Sequence, residues 1–169
     1  MTTENKNRYA ATIKEFFASK QRSALESKLD PLERDWGIVR GDFDKAGALR
    51  PPEQRLQHRR QFPTSTKTEM DFVREQRDEM DRLKPRLVEL CNKACEIRNA
   101  AAAELSATIA SEAAKVEAQE QTMFGKYKVA YQPSALVTAL RQIAAELAQP
   151  VKMNSTETSP KAVAADFLA

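Results

Sequence analysis

The sequence predicts an all-α chain: an elongated helical hairpin or bundle built on one long kinked helix with coiled-coil-like packing. Three observations carry that prediction. Ala, Glu, Lys, Arg, Gln and Leu, the good helix formers, dominate the composition. Only four glycines and a 7% aromatic share leave little material for the turns and strands of a sandwich, barrel or doubly wound sheet. From Leu87 to Gln121 the chain contains neither glycine nor proline. At 169 residues it has the length for one domain with a real core, not for two.

The first element is an amphipathic helix over roughly 3–28, marked by Tyr9, Ile13, Phe16, Phe17, Ala24 and Leu25 at three-to-four spacing. Asp30 and Pro31 then offer a cap and a first helical position, so a second helix is expected to restart there. Trp36 is read as its anchor against the long helix. The stretch GDFDKAGALRPP has the chemistry of a loop, and PPEQRLQHRR reads as a short helix opened by Pro52.

Thr66 followed by Glu69 has the spacing of a capping box and opens the long helix, which runs to about Thr122. Those roughly 54 residues would span ~80 Å, so the rod needs a partner along its length. Pro85 removes one hydrogen bond and predicts a kink or break near 82–85. The seam Leu83, Leu87, Leu90, Ala94, Ile97, Ala101 alternates by four and three; beyond it Leu105, Ile109, Ala113 and Val116 follow a straighter stripe. Gly125 and Pro133 mark a short link, after which Ser134 caps a helix with Leu136, Val137, Leu140, Ile143, Ala144 and Leu147 on one face. That helix should fold back antiparallel on the long one. The polar run PVKMNSTETSPK reads as a flexible linker leading to a short apolar segment capped by Ser159 and Pro160. Three regions result: a basic helical region at 1–68, the long helix with its antiparallel return at 69–149, and a linker with docking segment at 150–169.

Charge is uneven along the chain. Residues 1–68 hold 14 Lys/Arg against 9 Asp/Glu, residues 69–132 hold 10 against 12, and the rest is balanced. A polyanion contact is therefore expected in the first third, where Arg50, Arg55, His58, Arg59 and Arg60 gather beside Phe62. The competing expectation for that cluster is a solvated face, or ion pairs to the acidic run Asp71, Glu75, Asp78, Glu79, Asp81.

Cys91 and Cys95 stand four apart on one helix face. Zinc would need two further ligands, His58 is remote, and i,i+4 sulfurs do not meet disulfide geometry on a regular helix. They are read as small apolar seam residues, and no cofactor or metal is expected. Phosphate loops, nucleophile elbows, dinucleotide fingerprints and Glu-x-x-His pairs are absent from the sequence.

No apolar run approaches the ~20 residues of a membrane span, and MTTENKNRYAATIKEFF lacks a signal peptide's apolar core. The N-terminal aromatic stripe is read as core, with membrane association not expected. The expected location is the cytoplasm, or a particle assembled there. The expected function is a non-enzymatic structural or interaction protein. It would associate with itself or a protein partner through the long helix and a tethered segment, Val163, Phe167 and Leu168, docked in a partner's groove. A phage or virion component and a secretion-type chaperone are examples of that class. The alternative is a nucleic-acid-associated helical protein using the arginine cluster.

Overall fold

The computed structural model describes the backbone of residues 3–168 and the side chains of 12, 13 and 15–167. It is all-α: α1 Thr3–Ala48, α2 Pro51–Gln61, α3 Glu69–Lys126, α4 Ala135–Leu147, and two short turns of helix, α5 Pro160–Val163 and α6 Ala165–Leu168. The fold class expected from composition and periodicity is the one observed.

α1 differs from expectation. It does not stop near Lys28 and restart at Pro31; one helix of 46 residues passes through Pro31, Gly37 and Gly41 and absorbs most of the expected loop. The reason is burial. Ala18, Leu25, Leu29, Val39 and Ala46 are buried, with Leu32, Trp36 and Phe43 half-buried between them, so one heptad stripe continues straight across the proline. Pro31 itself is exposed, on the side of the helix away from that stripe.

α3 is a single helix of 58 residues, about 87 Å long, and it runs unbroken through the exposed Pro85. Its cap is displaced from the expected position. Thr68 and Asp71 form the capping box: the Thr68 N–H donates to Asp71 Oδ2 at 2.7 Å and the Asp71 N–H to Thr68 Oγ1 at 3.4 Å. Leu83, Leu87, Leu90 and Ala94 are buried as the seam requires. Ile97 and Ala101 are only half-buried, and Arg98 and Ala102 take the inward positions instead. From Ala94 the inward residues step 98, 102, 105, 109, 113, a four-four-three pattern that suits a straight helix.

α1 lies antiparallel on α3, with Ala46 beside Gln76 and Leu29 in the cluster that holds Cys91. The expected antiparallel return of α4 is present: Ser106 Oγ donates to Ala144 O at 2.8 Å, and Arg141 pairs with Glu117 at 2.6 Å. The third position of the bundle is filled by different elements along the rod, α2 near the start of α3 and α4 near its end.

Between them lies the tail, and here the expectation is corrected. Residues 150–168 are not a free tether: Val163, Ala164 and Phe167 are buried among Leu29, Cys95, Ala102 and Leu105, members of the same core cluster. Asn99 grips Val151 through both amide atoms, at 2.8 and 2.9 Å, in the manner of a strand pair. Arg40 donates to Thr156 O at 3.1 Å, Lys161 pairs with Asp30 at 2.8 Å, and the buried Arg98 pairs with Asp166 at 2.6 Å below the Phe167 ring. The groove expected on a partner is supplied by α1 and α3 of the same chain. The Leu168 side chain lies outside the described residues.

Candidate anion-contact face on α2

α2 forms because Pro51 and Pro52 occupy its first positions, where the missing N–H groups cost nothing. Glu53 in the first turn and His58, Arg59 and Arg60 in the last complement the helix dipole. None of its residues is fully buried. It is nevertheless fixed at both ends. The Gln76 amide of α3 spans the carbonyls of Ala46, Gly47 and Leu49 at 2.7, 3.2 and 3.3 Å, closing the turn that precedes α2. At the other end His58 Nε2 bonds Ser65 Oγ at 2.9 Å, and its ring lies 4.9 Å from Phe62 and 5.6 Å, edge-on, from Phe72. The Lys67 ammonium covers the other part of Phe72 at 4.6 Å.

This geometry sorts the five basic residues. His58 points inward and positions the helix. Arg55 is half-buried, with Nε enclosed and lacking a hydrogen-bond partner. Arg50 pairs with Glu53 at 3.4 Å. Arg59 and Arg60 are exposed, and no described carboxylate lies within ion-pair distance of either. Leu49, Leu56, Phe62 and Met70 are exposed around them.

The acidic run does not answer the cluster. Asp71 is taken by the cap, where the Thr68 hydroxyl holds its carboxyl below the ordinary range. Glu75 pairs with Lys67, Glu79 with Arg82 and Asp81 with Lys84. The Arg82 guanidinium likewise holds the Glu79 carboxyl low. The α2 face is thus left with a positive, partly apolar surface that can receive carboxylates or phosphates.

Cys91 and Cys95 are buried free thiols in the core, and burial pushes the Cys91 thiol up. Among the described residues no three His, Cys, Asp or Glu side chains gather to hold a metal. Gln76, Arg98 and Asn99, which fix α2 and the tail, are not among the candidates read from sequence. Arg98 had a signal: it falls on the inward register of an alanine-rich stripe. The chain matches no protein-family model, and it is similar to no curated protein and to no solved structure.

Proposed function

We propose that the protein is a non-enzymatic interaction protein, a helical scaffold acting in the cytoplasm or within a particle assembled there, with α2 as its contact face. The observation that carries this reading is that α2 is anchored at both ends yet buries none of its own residues. Such a helix contributes little to its own core, while it displays Leu56, Phe62, Arg59 and Arg60 outward. Arginine and aromatic residues are the types that anchor protein interfaces. The long-helix seam is already covered by α1, so assembly through it is not part of the proposal.

A photo-crosslinking residue at position 56, compared with one at exposed Ala100 on the middle of α3, tests the reading in cells that make the protein. Discrete adducts from position 56 and none from 100 are expected. Equal labelling, or none, would remove α2 as the contact face. The unpaired Arg59 and Arg60 favour a second reading, nucleic acid as the partner. Purification at low salt with light scattering and absorbance at 260 and 280 nm separates the two: bound nucleic acid stripped by salt supports the second, a protein-only mass the first.

A further inference from the structure

At the other end of the rod α3 closes in a Schellman motif. The Val129 N–H donates to Phe124 O and the Lys128 N–H to Gly125 O, both at 3.2 Å. The motif requires a left-handed residue at Lys128, whose φ is 53°, the only positive φ among the described residues. Glycine is the usual occupant, because a Cβ there crowds the following carbonyl. The one glycine nearby, Gly125, sits in helical backbone where that freedom goes unused. A lysine is therefore held in an unfavourable conformation at an exposed tip, which points to a role for its side chain.

Its surroundings say what that role is. Met123, Tyr127 and Val129 are 58%, 75% and 56% exposed, and with Phe124 they line an open apolar hollow of about 310 Å³. Val129 and Phe124 hold the two positions between which a Schellman motif commonly makes its hydrophobic contact; Met123 and Tyr127 are lining residues outside that pair. Lys126 and Lys128, both exposed, alternate in sequence with the lining residues Tyr127 and Val129. From Gln121 to Ala145 there is no Asp or Glu. The adjacent Glu120 is occupied by the Tyr131 hydroxyl at 3.2 Å and the Ser134 N–H at 3.3 Å.

We propose that this tip is a contact surface for an anionic lipid bilayer. The turn stands between the end of α3 and the start of α4, at one end of the rod, with the side chains of Tyr127 and Val129 exposed. Tyrosine and lysine are the residues that sit at the headgroup level, and Met123 and Val129 offer side chains with no polar demand. The lysines are point charges suited to headgroup phosphates, and the lining offers no hydrogen-bond pattern that would read a base. No described helix is long and apolar enough to cross a membrane, so the contact is peripheral. It is independent of the α2 reading.

The test is co-sedimentation of the full chain with vesicles of phosphatidylcholine alone and of phosphatidylcholine mixed with phosphatidylglycerol. Binding to the mixed vesicles only, weakened by salt, is expected. Replacing Lys126 by Gln and Lys128 by Gly should weaken it roughly 25-fold, since each lysine near an anionic surface is worth about fivefold. Lys128→Gly alone should weaken binding while raising the melting temperature, a pair of effects that damage to the fold cannot produce. Tyr127→Trp in a Trp36→Phe background should shift its emission to the blue on the mixed vesicles. No sedimentation, sedimentation unchanged by the tip variants but abolished by replacing Arg59 and Arg60, or retention of a single-stranded oligonucleotide by the tip would each overturn the proposal.

Discussion

Arg98 shows how a single residue fixes the bundle's middle. It is 7% exposed, its guanidinium faces Asp166 at 2.6 Å and Asn99 Oδ1 at 3.3 Å, and its Nε has no partner. A buried charge that loses its counterion is costly, whereas removing the charge itself often is not. Asp166→Ala should therefore destabilise the chain by about 2 kcal/mol, less than for a fully buried pair because Asp166 is partly exposed. Arg98→Met, which keeps the length and deletes the charge, should cost less than Asp166→Ala. Urea denaturation of both variants checks the order, and the reverse order would mean that the ion pair contributes mainly through attraction.

At the level of elements, α1 is the instructive case. Gly37 and Gly41 lie in its helical backbone with nothing within 4 Å of where a Cβ would stand. Gly37→Ala and Gly41→Ala should each stabilise the protein by about 1 kcal/mol, read as a raised urea midpoint with an unchanged slope. The same two glycines and Pro31 explain why the sequence alone reads as two helices and a loop where α1 is one helix. Local propensity disfavours helix there, but the stripe from Ala18 to Ala46 buries one face and wins by tertiary packing. α3 and α4 were legible because propensity and pattern agree in them, and the seam was right from Leu83 to Ala94, where its spacing is unambiguous. Beyond Ala94 hydrophobicity favours Ile97 over Arg98 and does not separate Ala101 from Ala102, whereas the structure turns Arg98 and Ala102 inward because the tail brings Asp166 to the guanidinium. The tail's apolar residues were identified, but not the groove that receives them, because that groove forms only when α1 and α3 pair. The arginine cluster was visible as composition. Which arginines face outward depends on the His58 ring against Phe72, a contact between residues 14 apart that periodicity cannot report.

As a whole, the molecule is a two-helix rod whose third layer is assembled from three pieces: α2, the tail and α4. Opening one piece should leave the others in place. Cys91 and Cys95 report on the middle piece, since both are buried in the cluster that includes Phe167. Phe167→Ala should cost about 3 kcal/mol locally and speed thiol alkylation by roughly 100-fold, while helical circular dichroism is nearly unchanged. Alkylation at the unaltered rate would mean that the thiols are exposed only by global unfolding. The tail has a further consequence for how the chain is made. Synthesis proceeds from α1 toward residue 167, so the segment that seals the middle emerges after everything it covers. Until it arrives, the groove between α1 and α3 beside Asp30, Cys91 and Arg98 lacks its cover, an open stretch that chaperones can recognise and that messages cut short before Val163 would leave permanently open.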